Sequence, residues 1–343
     1  MIKKITIKDV ARQAGVSTAA VSYVLNGKLD KVSEETARMV NETAKQLNYV
    51  PDFSARSLVK NTSMLIGVII PQTEESREVV LGNPFYNDLI SSVEAKAREN
   101  GYHILLARVE KGRGCFDMSI QRNLDGAIIL GAYEEDYCEE LSKITMPVVF
   151  LDSYVNNDNF YMIGIDDVYG GYIATKYLIG KGHRDIAFAA GAIKKQGVME
   201  KRFQGYRKAL DEAGIPFRQE YVYDNAVSYD CGFDSGKRIV QSKLPITAVF
   251  ATADVMAFGV INGIKSCGKQ VPEDYSIIGF DDLSITRMFT PQLTTVRQDI
   301  AQKGMIAAEL LIDILERRNT KGIKEIMLSL HIIERETVRE LKR

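Results

Sequence analysis

Three aspartates close apolar runs of the chain: Asp152 ends PVVFLD, Asp166 ends MIGID and Asp281 ends SIIGFD. Ligands of open α/β sheets sit outside the carboxyl ends of the strands, and a carboxylate accepts several hydrogen bonds, so such residues could receive the vicinal hydroxyls of a sugar. Asp after a strand more often caps the next helix, and Asp166, Asp167 and Asp282 are suited to that alone. A second surface lies near the amino terminus, where Thr18, Ala19, Ser22, Tyr23 and Asn26 share one helical face opposite Val21, Val24 and Leu25. By itself that face reads as the wet side of a satisfied helical pair. Other chemistry is scarce. Cys115, Cys138, Cys231 and Cys267 form no CxxC pair and have only three histidines to join them, so neither a zinc site nor a disulfide framework is expected. No phosphate-cradling glycine loop, zinc-protease motif or nucleophile elbow is present, which weakens every enzyme reading and leaves no cofactor expected.

The elements that must position these residues follow from periodicity. Thr6 and Asp9 fit a capping-box start, with Ile7, Val10, Ala11 and Ala14 on one face. Gly15 permits a tight turn and Ser17 can cap the second helix. Beyond Tyr49 the stretch 52–60, with Ala55 and Leu58, could make two helical turns, too few to hold alone. After Met64 the pattern changes to nine apolar strand candidates: Met64–Pro71, Tyr102–Ala107, Gly126–Leu130, Pro147–Asp152, Ile163–Asp166, Ile186–Gly191, Tyr221–Asp224, Thr247–Ala251 and Ser276–Asp281. Helical periods separate them at Asn87–Asn100, Val168–Lys181, Met199–Ala213, Tyr229–Gln241 and Asp254–Ser266. Uniformly apolar strands alternating with helices imply parallel sheets covered on both faces, and nine divide more naturally into two doubly wound lobes than one.

The chain of 343 residues has room for two or three domains. Charge is segregated: residues up to Asn61 carry ten basic and six acidic side chains, while the remainder is net acidic. The opening MIKKITIKDVARQAG lacks an apolar core for a secretory signal, and no apolar run is long enough to span a bilayer, so a cytoplasmic protein without membrane contact is expected.

The segments ITIKDVARQAGVSTAAVSYVLNGK and VSEETARMVNETAKQLNYVPDFSARSLVKNTSMLIGVIIP resemble the opening of a LacI/GalR-family transcriptional regulator. The resemblance runs to the end, through NPFYNDLISSVEAKARENGY, GHRDIAFAAG, KRFQGYRKALDEAGI, TAVFATADVMAFGVI, VPEDYSIIGFDD and PQLTTVRQDIAQKG. It implies an all-α helix-turn-helix headpiece at 1–50 and a hinge helix at 51–61. The rest, 62–343, would be an α/β two-lobed core like a periplasmic binding protein, with parallel sheets. The first lobe would span about 62–165 and 297–324, the second about 166–296 and 325–343.

In such a headpiece the second helix enters the major groove. Thr18, Ala19 and Tyr23 would then read bases, while Thr6, Ser17, Ser22 and Asn26 would hold phosphates. Many members carry Arg or His at the position of Tyr23, so a phenol there leaves the operator sequence open. The hinge would fold only when paired across a homodimer on a pseudo-palindromic operator, Leu58 wedging into the minor groove beside Ala55. Family positions single out Asp152, Arg202 and Asp281 as effector contacts and place Phe85 and Tyr86 beside the pocket. The function implied is a repressor whose operator affinity is set by a small ligand, a sugar being favoured and a nucleobase possible. Three rivals remain at this stage: a sugar-binding module without regulation, a sugar-processing enzyme using Asp152 and Asp281, and regulation by a partner protein.

Overall fold

A computed structural model describes residues 5–49, 62–71, 80–109, 123–131, 145–153, 160–195, 197–318 and 324–341. The chain divides into two units, Met1–Met64 and Leu65–Arg343. The expected hinge, with Ala55 and Leu58, lies outside the described residues.

The first unit is helical: α1 (Ile7–Ala14), α2 (Thr18–Leu25) and α3 (Glu34–Gln46). The Thr6 backbone N–H donates to Asp9 Oδ2 at 3.0 Å, which seats the acid over the positive end of α1. Gly15 takes φ 66°, a left-handed conformation that costs glycine nothing, and so turns the chain at once into α2. Ser17 Oγ accepts from Ala20 N at 3.1 Å. Val10, Ala11, Ala14, Val21, Val24, Val40 and Ala44 close one shared core, which fixes α2 with its opposite side outward.

Among the described residues, the second unit holds two six-stranded sheets. The first runs β11 (Glu325–Leu328), β5 (Tyr161–Ile165), β4 (Val148–Leu151), β3 (Gly126–Leu130), β1 (Leu65–Pro71), β2 (His103–Val109), every pairing parallel. The second runs β12 (His331–Ile333), β10 (Thr294–Arg297), β9 (Ser276–Asp281), β8 (Ala248–Ala251), β6 (Ile186–Gly191), β7 (Val222–Asn225), with β12 alone antiparallel. The nine expected strands all occur, and β10, β11 and β12 are additions.

The helix α4 (Pro84–Glu99) packs with α9 (Ile300–Leu315) beside the first sheet. The second sheet carries the pairs α5 (Asp167–Gly180) with α6 (Val198–Glu212) and α7 (Tyr229–Gln241) with α8 (Asp254–Ser266). The start of α4 comes three residues before the expected Asn87, because Pro84 fits the first helical position and Asn83 Oδ1 accepts from Phe85 N at 3.0 Å. The chain passes between sheets three times: after β5, between β10 and α9, and between β11 and β12. The lobe boundaries were expected at about 297 and about 324. Arg297 still pairs with Asp281 in the second sheet, and Glu325–Leu328 pairs in register with Met162–Ile165 in the first. The crossings therefore fall at Gln298 and after Leu328, where the ladders end.

Candidate functional site

On α2, Thr18, Ala19 and Tyr23 are exposed, because Val21 and Val24 turn the opposite side into the core. Tyr23 is the largest side chain there and stays 39% accessible. Ser22 and Asn26, expected to hold phosphates, lie toward the end of the helix. Both are half-buried, and Asn26 Nδ2 donates to Ser22 O at 2.8 Å and to Ser22 Oγ at 3.2 Å, closing the end of the helix. The Thr6 hydroxyl is likewise engaged, donating to Asp9 Oδ2 at 2.7 Å. Ser17 Oγ spends a lone pair on the cap, which leaves its proton for an outside acceptor.

In the second unit each strand-end aspartate has a distinct role. Asp166 is a cap, accepting from Tyr169 N at 2.8 Å. Asp282 accepts from Thr286 Oγ1 at 3.2 Å and from the Arg335 guanidinium. Asp152, just after β4, and Asp281, the last residue of β9, have positive φ, 45° and 120°, conformations that cost a non-glycine residue of order 1–3 kcal/mol and collect at functional sites. The structure joins these two through residues that the strand-end reasoning missed. Lys303 Nζ donates to Asp152 Oδ1 at 2.6 Å, to Asp152 Oδ2 at 2.8 Å and to Gln298 Oε1 at 2.6 Å. Gln298 Nε2 then donates to Asp281 Oδ1 at 2.6 Å. Gln298 lies at the crossing between the lobes and Lys303 in the first turn of α9, so the chain of bonds runs from one lobe to the other. The Lys303 side chain is wholly inaccessible, and an ammonium buried that way costs several kcal/mol unless paired. Its pairing here is complete.

Arg202, on α6, is buried and stacks its guanidinium 3.6 Å from the centre of the Phe280 ring. Its Nε donates to Asp167 Oδ1 at 2.8 Å and its Nη1 to the Thr252 carbonyl at 2.5 Å. Close contact of α5 with α6 makes this possible: a Cβ on Gly171 would stand 2.0 Å from Arg202 O. Asp254, a further residue missed in the sequence, accepts from Thr295 Oγ1 at 2.6 Å and Leu283 N at 2.8 Å. Burial pushes the Asp281 carboxyl up to about 6, against the lowering pull of Arg202, Gln298 and Lys303. Asp254 is also raised well above the usual carboxylate range, by burial first and then by Asp281. The ends of β4 and β9 thus bring buried acids together with the Arg202 guanidinium, a set suited to accepting a ligand's hydroxyls and donating to its oxygens, while Lys303 is fully engaged in holding Asp152 and Gln298.

Phe85 and Tyr86 are half-buried at the start of α4 and meet edge to face, their centroids 5.5 Å apart. A separate cleft of about 230 Å³ lies at the other end of β6, beside Arg218 and Tyr221. There the Tyr221 hydroxyl donates to Asp185 Oδ1 at 2.8 Å and accepts from Arg218 at 2.8 Å, so its polar groups satisfy one another.

The sequence signal for Lys303 was present. Ile300, Gly304, Ala307 and Leu311 form the buried stripe of α9, and a lysine beside Gly304 falls inside it. Gln298 carried no such signal, being in an irregular crossing.

Two family models match the chain, "Bacterial regulatory proteins, lacI family" over residues 6–52 and "Periplasmic binding protein-like domain" over 175–338. The HTH-type transcriptional repressor PurR of Pasteurella multocida (strain Pm70) is 37% identical over 333 residues, covering 95% of this chain and 96% of that protein. A crystal structure of the Lac repressor dimer bound to operator and the anti-inducer ONPF superposes with a TM-score of 0.83 at 26% identity, over 98% of this chain and 100% of that one. The transcriptional regulator CelR in complex with cellobiose gives 0.69 at 27% identity, over 97% and 99%.

Proposed function

Because the chain belongs to the lacI family and is a ligand-regulated, DNA-binding transcriptional repressor, we propose that its ligand is a sugar or sugar derivative held at Asp152, Arg202 and Asp281, beside Phe85 and Tyr86. The observation that carries this reading is the pair of carboxylates at the ends of β4 and β9, bound into one hydrogen-bonded chain across the lobes. Such carboxylates can accept the hydroxyl hydrogens of a sugar. The likeness to a regulator solved with cellobiose supports the same chemistry.

On the DNA side, α2 lies in the major groove, with Thr18, Ala19 and Tyr23 toward base edges and Ser17 toward phosphate. Thr6 and Asn26 serve phosphate only by giving up bonds they now donate within the unit, whereas the Ser22 hydroxyl only accepts there and keeps its proton for a phosphate oxygen. A homodimer places two headpieces on a pseudo-palindromic operator, and the hinge at 51–61, with Ala55 and Leu58, orders between them. The protein works in the cytoplasm and catalyses nothing; no described helix is long and apolar enough to cross a membrane.

Thermal-shift measurements on the full chain test the ligand class, with cellobiose and ribose, their phosphates, and free purines. A ligand at about a hundred times its Kd adds about 2.7 kcal/mol of stability, a shift easily read. Stabilisation by a sugar that Asp281→Ala abolishes is the expected result. Stabilisation by purines alone would replace the sugar reading.

A further inference from the structure

Lys303 breaks the pattern of its own helix. The buried stripe of α9 is otherwise built of Ile300, Gly304, Ala307 and Leu311, and an unbranched apolar side chain would fill the same space without burying a charge. Local departures of this kind gather where function requires them. All three ammonium N–H bonds are spent, two on Asp152 and one on Gln298.

We propose that Lys303 is a positioning residue that couples the two ligand-reading carboxylates: it holds Asp152 of the first lobe directly and Asp281 of the second through Gln298. It rests on reading the crevice as the effector site. The relay has a direction imposed by chemistry. Lysine can only donate, so the Gln298 oxygen must face it and the Gln298 N–H must face Asp281. A donor arriving at Asp281 therefore cannot be accommodated by flipping the amide, since that would turn its N–H₂ toward an ammonium. The disturbance passes instead to Lys303 and on to Asp152. Arg202 from α6, Asp254 from α8 and Asp152 also act on Asp281, so the relay works within a charged setting.

The proton is the simplest donor with which to test this. The full chain is labelled with carbon-13 at aspartate Cγ, and Asp152 and Asp281 are followed by NMR across about pH 4 to 8. Asp152→Asn and Asp281→Asn identify the two signals. The Asp152 signal is expected to show a step at the midpoint of Asp281. Lys303→Met should remove that step and raise the Asp281 midpoint by about one unit, as loss of a nearby cation requires. Gln298→Leu should shrink the step to less than half while leaving the Lys303–Asp152 pair in place, and it decides alone if Lys303→Met fails to fold. An Asp152 curve with no step in the unaltered chain overturns the proposal. So does a step that keeps its size in either variant, which would mean a direct field between the acids. No sugar enters these titrations, so they judge the relay whatever the crevice binds, while a failed ligand screen counts against the sugar reading alone.

Discussion

Asp281 is only 6% accessible, and burial keeps its carboxyl protonated up to about pH 6. The folded state therefore holds this proton more tightly than the unfolded chain does. Its contribution to stability is complete below the unfolded value near 3.8 and is lost as pH rises through about 6. Asp281→Asn removes the titration while keeping an oxygen for Gln298. We expect the variant to gain up to about 3 kcal/mol over the unaltered chain near pH 7 to 8, and that gain to vanish below about pH 4. Urea denaturation of both proteins at a series of pH values measures it; a gap that stays constant with pH refutes the assignment. Residues of this kind were legible in the sequence to different degrees. Ending an apolar run put Asp152 and Asp281 among three candidates, and the family resemblance, not their position, set them apart from Asp166, whereas Asp254 looked like one more first-turn acid of a helix. Lys303 stayed hidden for the opposite reason. A lysine in a helix is by default a solvated one, and only its phase relative to Ile300 and Leu311 contradicts that.

At the scale of elements, periodicity located every long strand and placed α6 and α8 to within a residue, because a buried parallel strand has to be apolar throughout. It missed β10, β11 and β12, of three or four residues each, whose Arg297, Glu325 and His331 interrupt the apolar signal. These short strands carry two of the crossings, which is why the lobe boundaries shifted. The position of Arg202 depends on an element-level feature, the contact of α5 with α6. A Cβ on Gly205 would stand 2.0 Å from Val168 O and 2.5 Å from Tyr172 N, both backbone atoms that cannot yield without moving a helix. Gly205→Ala is expected to cost about 1–3 kcal/mol or more by overpacking. Gly180, at the end of α5, has nothing near such a Cβ. There the same substitution should stabilise by about 0.4–1 kcal/mol, through the unfolded chain's lost freedom. Denaturant midpoints that move in the same direction for both would show that the helices are not in fact in such close contact.

At the scale of the whole molecule, function requires that a change between the lobes reach DNA, and the segment 51–61 is the only covalent route from core to headpiece. Eleven residues are too few to hold a helix alone, so the hinge helix proposed there would need a partner copy and the operator together to stabilise it. Leu58 is the side chain proposed to insert between base pairs, and its removal should weaken binding by about 1.5–3 kcal/mol per protomer, the value of one buried leucine. A wedge makes no phosphate contact and releases no counterions. The slope of affinity against salt is set by the phosphates that Lys and Arg neutralise, and Leu58→Ala leaves all of these in place. Titrations of a duplex selected by the unaltered chain from a random pool, repeated at several salt concentrations, should therefore give two parallel lines, the variant's lower throughout. A changed slope would mean that the leucine instead sets the approach of the headpieces to the backbone. Lines that coincide would remove the hinge from the account of DNA binding altogether.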